Sequence, residues 1–183
     1  MELKFEELPY QLDAVNAVAN LFAGQPNHAR TFDLTSQGTG RFVGNGLDLD
    51  WETLGRNLNA VQKQNGQPET EIGAHGLNFS LEMETGTGKT YVYLRTVYEL
   101  NRRYGWKKFV IVVPSVPIRE GVLKSLEITK VHFDGVFGRP VMRYAEYSSG
   151  RLSDLRAFAV NDHIEILVIN RSEEHTSELQ SLR

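Results

Sequence analysis

The 183-residue chain contains no cysteine. A disulfide, a thiolate nucleophile and a cysteine-ligated zinc are therefore excluded, and the composition suits a reducing, cytoplasmic setting. No apolar run approaches the roughly 20 residues that a membrane-spanning helix needs. The start, Met-Glu-Leu-Lys-Phe-Glu-Glu, lacks the basic residues and apolar stretch of a signal peptide, so none is expected. Charge of one sign is also scarce: the formal net is -3. That balance neither announces nor excludes a nucleic-acid binder, because a basic groove can sit on an acidic protein. Hydrophobic residues make up 40%, which excludes disorder throughout, and the length suits one domain with a core. No internal repeat is present.

Against these absences, one stretch carries chemistry: Glu82-Met83-Glu84-Thr85-Gly86-Thr87-Gly88-Lys89-Thr90. Before it, Leu77 to Leu81 alternates apolar and polar, as a half-buried strand does. After it, Tyr93, Val97, Leu100 and Tyr104, with Leu94 beside them, fall at helical spacing, and Gly105 marks an end. Strand, glycine loop and helix is the setting of a phosphate-binding loop. Gly86 and Gly88 let the backbone bend and approach an anion closely. Loop amides and a helix N-terminus offer donors to it. Lys89 can reach the β- and γ-phosphates, and the Thr90 hydroxyl can hold Mg²⁺. The strict pattern asks for glycine where Met83 stands.

The rest of the chain reads as an α/β alternation. Pro9 can open a helix whose Leu12, Val15, Ala19 and Phe22 share a face, with Gly24 stopping it. Residues 25–76 are polar and glycine-rich and read as an insertion. Within it Gly44-Asn45-Gly46 suggests a hairpin turn, and Asp50 can cap a helix carrying Leu54, Leu58 and Val61 that ends near Asn65-Gly66. Lys108 to Val113 is an apolar run of the kind buried on both faces of a parallel sheet. A helix is expected from Pro117, using Val122, Leu123 and Leu126. A short strand is expected around Val141 to Tyr144, a helix over Leu152 to Ala159, and a buried strand at Ile164 to Ile169. Strands at Phe79, Ile111 and Leu167 are expected in one parallel sheet. Arg102-Arg103 and Lys107-Lys108 read as solvated. From Arg171 to Arg183 the character changes. This stretch resembles the in-frame translation of a common sequencing adapter, so the natural sequence is expected to stop near Asn170, with residues 1–170 forming the lobe.

Glu84-Thr85-Gly86-Thr87-Gly88-Lys89-Thr90 is similar to the first motif of superfamily 2 helicases and translocases, in which the earlier glycine is commonly replaced. The phrases Met-Glu-Thr-Gly-Thr-Gly-Lys-Thr-Tyr-Val-Tyr-Leu-Arg-Thr and Val-Val-Pro-Ser-Val-Pro-Ile-Arg-Glu-Gly-Val resemble, more narrowly, the restriction subunit of type III restriction-modification enzymes. Leu58-Asn59-Ala60-Val61-Gln62 with Asn65-Gly66 adds to that resemblance, which covers nearly everything from Tyr10 to Asn170. It implies an incomplete RecA-like lobe with a parallel sheet, ATP and Mg²⁺ as cofactors, and duplex DNA and a methyltransferase subunit as partners. Tyr10 and Gln11 match the adenine-reading glutamine motif, a carboxamide being able to donate and accept at once. Pro114-Ser115-Val116 matches the motif that touches the DNA backbone, and Arg119 could add a charge-assisted contact.

The resemblance also implies an acidic pair after a later strand, to hold Mg²⁺ and orient water, and arginine fingers from a second lobe. No such pair is found, since Asp162 precedes its strand and Glu173-Glu174 lies in the tail. The chain is therefore expected to be the ATP- and DNA-binding front of a translocating nuclease, inactive alone. A fragment of another superfamily 2 translocase, or a non-catalytic nucleotide-binding module, would carry the same loop.

Overall fold

The computed structural model describes residues 5–28, 30–33, 41–73, 76–148 and 152–171. Nearly all of the suspect tail lies outside them. The chain divides into two compact units, one built from Phe5–Asn27 and Leu47–Tyr104 and the other from Met1–Lys4, His28–Gly46 and Gly105–Arg183.

The first unit is helical. Helix α1, Pro9–Asn20, opens on proline and buries Val15 and Ala19, with Gln11 beside them. Beyond it Gly24 adopts φ +92°, and the buried Gln25 carboxamide accepts from the Asp48 amide at 2.8 Å. Helix α2, Trp51–Gln64, is capped as the sequence suggests: the Thr53 amide donates to Asp50 Oδ1 at 2.7 Å. That backbone bond holds the Asp50 carboxyl below its ordinary range. From α2, Asn57 Nδ2 donates to the carbonyls of Leu21 and Ala23 at 3.0 and 2.9 Å. Two carbonyls just past the end of α1 are thereby satisfied.

Helix α3, Lys89–Tyr104, packs against α1. Leu94, Val97, Leu100 and Tyr104 are buried as their spacing predicts, whereas Tyr93 is only half-buried. Burial extends to Val92, Tyr98, Arg95, Thr96 and Glu99, so the helix is covered around most of its circumference. Charges in such a helix must be paired. Arg95 donates to Glu7 at 2.7 Å. Glu99 receives Arg102 Nη2 and Nε at 2.5 and 2.9 Å and Arg103 Nε at 2.5 Å. Arg103 also reaches Asn16 and Asn20 on α1, at 2.6 and 2.8 Å. Arg102 is solvated as its position suggests, with 60% of its side chain exposed, whereas Arg103 is only 25% exposed and is not part of a solvated helix end. Two arginines satisfy one buried carboxylate, and one of them ties α3 to α1.

The expected strand at Leu77 to Leu81 does not form. The run carries no strand pairing, and Phe79 and Leu81 are 36% and 45% exposed. Alternation supplies a face to bury, but a strand also needs a ladder partner. The run falls in the helical unit, while the parallel sheet belongs to the other.

In that second unit, β1 (Arg30–Asp33) pairs antiparallel with β2 (Arg41–Gly44). A hairpin is present, but Gly44 ends its second strand and Asn45-Gly46 follow it, so this stretch does not form the hairpin's turn. Asn45 has another task. Its Oδ1 accepts from the amides of Lys107 and Lys108 at 2.8 and 3.0 Å, and its Nδ2 donates to the Lys108 carbonyl at 2.6 Å. The side chain substitutes for a ladder neighbour at the start of β3 (Lys108–Val113). Trp106, buried, donates its indole N–H to the Gly46 carbonyl at 2.9 Å.

Helix α4 (Val116–Phe137), β4 (Met142–Glu146), α5 (Leu152–Val160) and β5 (Ile164–Asn170) complete the unit. The strands lie in the order β3-β5-β4, all parallel, with Val110 opposite Leu167 and Tyr144 opposite Ile166. Central β5 is buried nearly throughout, as expected of a strand covered on both faces. β3 is not: Val110 and Val112 are 51% and 59% exposed. One of its faces is uncovered among the described residues, so its apolar run overstated its burial. Lys107 and Lys108 are likewise engaged, with Asp162 Oδ1 at 2.7 Å and with the Asn161 carbonyl at 2.5 Å. Burial pushes the Lys108 ammonium below its ordinary pKa.

The Glu99 cluster yields a pH-dependent expectation. Burial raises its carboxyl pKa, but the hydrogen bonds and charges of Arg102 and Arg103 outweigh that, and the net shift is downward. A depressed carboxyl pKa contributes stability above the unfolded value, 4.5, and loses it as pH falls through the folded value. Glu99→Gln should therefore cost about 1–3 kcal/mol at neutral pH, the scale of a charged hydrogen bond. Urea melts at descending pH should show the two proteins converging below the unfolded carboxyl pKa. A pH-independent gap would show that the carboxylate's charge is not what stabilises the fold.

Candidate functional site

The glycine loop precedes α3 directly, and its geometry follows from two residues without side chains. Gly86 and Gly88 take φ +83° and +86°, the left-handed region that other residues enter only at a cost. The turn they permit is held from within. Thr87 Oγ1 donates to the Glu84 carbonyl at 2.6 Å, and Lys89 Nζ donates to the same oxygen at 2.7 Å. The lysine ammonium therefore curls back over its own loop, at the start of a sixteen-residue helix. Thr90 begins that helix beside it.

Helix α1 closes on the loop. Gln11 Nε2 donates to the Thr87 carbonyl at 2.9 Å, and Tyr10 Oη to the same oxygen at 3.3 Å. Gln11 is buried, whereas Tyr10 is 47% exposed. A Cβ on Gly88 would lie 2.5 Å from Gln11 Nε2, so a side chain there would push the end of this carboxamide aside. The structure thus brings together Tyr10, Gln11 and residues 84–90, which are 76 and 77 positions apart at the contacts. The spacing of glycines and lysine marked the loop; nothing in the spacing could have shown that the Thr87 carbonyl joins it to α1.

The other expected site residues fall in the sheet unit. Pro114 and Ser115 follow the carboxyl end of β3, the edge of a parallel sheet at which ligands bind. Ser115 precedes α4 with an extended backbone, and its hydroxyl makes no capping bond. Val116 is 44% exposed. Arg119 is placed differently from the expectation. It is buried, with Nη1 at 2.6 Å from Glu146 Oε1 at the carboxyl end of β4, and Nη2 at 3.3 Å from Glu120. Its guanidinium braces α4 against β4, and a contact with a backbone phosphate would require breaking that brace. Asp162 precedes β5 and faces Lys107. Among the described residues no Asp-Glu pair follows a strand, and no helix is long and apolar enough to cross a membrane.

A glycine loop opening a helix, and a β3-β5-β4 sheet with all strands parallel, are parts of an incomplete RecA-like α/β domain. Comparison with known proteins places it further. The family described as "Type III restriction enzyme, res subunit" matches residues 4–180. The chain is 29% identical over 194 residues to the Type III restriction-modification enzyme EcoPI Res subunit of Escherichia phage P1, covering 96% of this chain and 20% of that protein. It is 29% identical over 185 residues to the EcoP15I Res subunit of Escherichia coli, covering 96% and 19%. To the StyLTI Res subunit of Salmonella typhimurium it is 41% identical over 75 residues, covering 40% and 8%. The chain belongs to the type III restriction enzyme Res subunit family and carries its helicase-like motor region. It spans about a fifth of the length of the first two relatives.

The loop's dependence on glycine can be measured as a coupling. Gly88→Ala should destabilise by about 1–2 kcal/mol from backbone strain alone, and by more because its Cβ displaces Gln11. Removing the obstructing carboxamide in Gly88→Ala/Gln11→Ala should recover part of that loss, so the two changes should be less than additive in denaturant melts. Strict additivity would show that Gln11 and Gly88 do not touch.

Proposed function

We propose that residues 84–90 bind the phosphates of ATP with Mg²⁺, and that the chain is the ATP- and DNA-binding front of the motor. In an intact Res subunit that motor would drive DNA translocation coupled to cleavage. The observation that carries this reading is the loop at the start of α3. Two glycines hold it at positive φ, and one ammonium folds over it onto a carbonyl oxygen. The Glu84 carbonyl stands where an anion would compete for Lys89, and no side chain at 86 or 88 obstructs a phosphate. The residues present therefore fit the nucleotide.

The roles follow from chemistry. The amides of 86–90 and the N-terminus of α3 would donate to phosphate oxygens. Lys89 would exchange the Glu84 carbonyl for the phosphates, and the Thr90 hydroxyl would ligate Mg²⁺. When bound, the nucleotide supplies the phosphoanhydride whose hydrolysis drives the parent motor. Gln11 would read adenine: its Nε2 donates to Thr87, which leaves Oε1 as the acceptor that an exocyclic amine requires. Tyr10, exposed next to it, offers a ring for the base. Because Gln11 also holds the loop, base identity and loop shape would be read through one side chain.

At the carboxyl edge of the sheet, Pro114, the Ser115 hydroxyl, which makes no capping bond, and the first amides of α4 at Val116 would touch the DNA backbone. Such contacts position a duplex without reading its sequence. Arg119 would serve as a brace for that segment. Duplex DNA and a methyltransferase subunit would be the partners of the intact, cytoplasmic enzyme.

Titration of the chain with a fluorescent ATP analogue and Mg²⁺ tests the reading. Lys89→Ala should weaken binding about 10–100-fold, the effect of losing a charge-assisted hydrogen bond. Gln11→Ala should bring ATP and GTP affinities together, with circular dichroism confirming the fold. Unchanged affinity in Lys89→Ala would refute the phosphate site. Unchanged preference in Gln11→Ala would refute base reading by this carboxamide.

A further inference from the structure

The segment that leads into α1 is held to α3 by one group of side chains, Phe5, Glu7, Tyr91 and Arg95, all in the helical unit. Arg95 Nη1 donates to Glu7 Oε1 and to the Tyr91 hydroxyl, each at 2.7 Å. The guanidinium carbon stands 5.9 Å from the centre of the Tyr91 ring, within cation–π range. Phe5 stacks on the same ring, with centroids 6.0 Å apart and planes at 19°. Tyr91 lies in the first turn of α3 and Arg95 in the turn after it. Glu7 comes just before Pro9, where α1 starts. The start of α1 is therefore held twice. Arg95 and Tyr91 hold the residues before its first turn, and the Gln11 and Tyr10 bonds to the Thr87 carbonyl hold the turn itself.

Stability alone does not account for an arginine at 95. The residue is buried, and an apolar side chain of similar volume would fill the space without desolvating a charge. The Glu7 side chain is 44% exposed, so the pair does not rescue a buried carboxylate. Burial pulls the Arg95 pKa down, but the hydrogen bonds to Glu7 and Tyr91 outweigh it and the net shift is upward, so the charge is kept. What an arginine supplies and an apolar residue does not is direction: bonds to a group on its own helix and to a group on the segment entering α1. That entry has no other directed anchor at the N-cap, where Leu8 stands and no side chain makes a capping bond.

We infer that Arg95 is a positioning residue for base recognition: by joining Glu7 to Tyr91 it sets the start of α1 against the first turn of α3, and so keeps Gln11 on the Thr87 carbonyl. The inference rests on the proposed reading of adenine by Gln11. It concerns selectivity and not phosphate affinity, because Lys89 and the loop amides belong to the segment that opens α3 and not to α1. Without Arg95, α1 keeps its apolar packing through Val15 and Ala19. Its first turn loses a directed anchor, and the Gln11 carboxamide is free to turn its Oε1 away from the base.

Two measurements on the full 183-residue chain separate this inference from the reading beneath it. The first needs no nucleotide. In ¹H–¹⁵N NMR spectra the Gln11 carboxamide should be rigid in the parent chain. In Arg95→Met it should be mobile and exchange its hydrogens faster, while the Thr53 amide at the α2 cap stays unmoved. Arg95→Lys, which keeps a cation beside Glu7, should restore part of the rigidity. The second is binding of ATP, GTP and inorganic triphosphate, each with Mg²⁺. Arg95→Met should shrink the preference for ATP over GTP by about 3–10-fold, with triphosphate affinity unchanged. In a Gln11→Ala background the same substitution should leave the ratio where it is, because Arg95 acts through Gln11. A Gln11 carboxamide unmoved in Arg95→Met would overturn the inference whatever the chain binds. So would a change in the ratio that persists without Gln11, or an equal loss of triphosphate affinity, since either marks a general structural defect. A parent chain whose Gln11 is held through Arg95 but which does not distinguish ATP from GTP would overturn base reading itself, and this inference with it.

Discussion

The absence of a side chain at residue 88 is the constraint on which the helical unit depends. At φ +86° and with Gln11 Nε2 2.5 Å from where a Cβ would stand, any other residue strains the backbone and pushes the end of the Gln11 side chain aside. With glycine there, Gln11 and Tyr10 both bond to the Thr87 carbonyl. Under the proposed function the same residue would also shape the loop for an anion, so a change there would disturb packing and binding together.

Both units complete themselves with polar side chains where backbone pairing or apolar packing does not suffice. In the helical unit Glu99 gathers two arginines from its own helix, and Arg103 continues to two asparagines on α1. A buried carboxylate is tolerable only when its charge and lone pairs are matched. In the sheet unit Asn45 offers a donor and an acceptor to the start of β3, as a neighbouring strand would. Arg119 pairs with Glu146 between α4 and β4. These contacts fix the position of one element against another, which apolar burial alone leaves loosely specified.

Much of this was legible in the sequence, and the failures have a common cause. Local rules located α1 from Pro9, α2 from Asp50, α3 up to Gly105, and the parallel pair at Ile111 and Leu167. They succeeded because caps, glycines and apolar periodicity act within one element. They failed where a distant partner decides. Leu77 to Leu81 alternates as a strand should but has no ladder neighbour. Val110 and Val112 belong to an apolar run yet lie on an uncovered face. Arg119, expected at a DNA phosphate, is instead engaged by Glu146, a carboxylate that only folding brings near. At the candidate site, Lys89 and its glycines were marked by spacing, but the bond from Gln11 to Thr87 spans 76 residues and has no local signature.

The most direct measurement of the central claim is a structure of this chain determined with ADP and Mg²⁺. The account predicts the diphosphate on the amides of residues 86–90, with the Lys89 ammonium moved off the Glu84 carbonyl and onto the phosphate and the Thr90 hydroxyl facing the metal. Nucleotide bound elsewhere, with Lys89 still 2.7 Å from the Glu84 carbonyl, would contradict it.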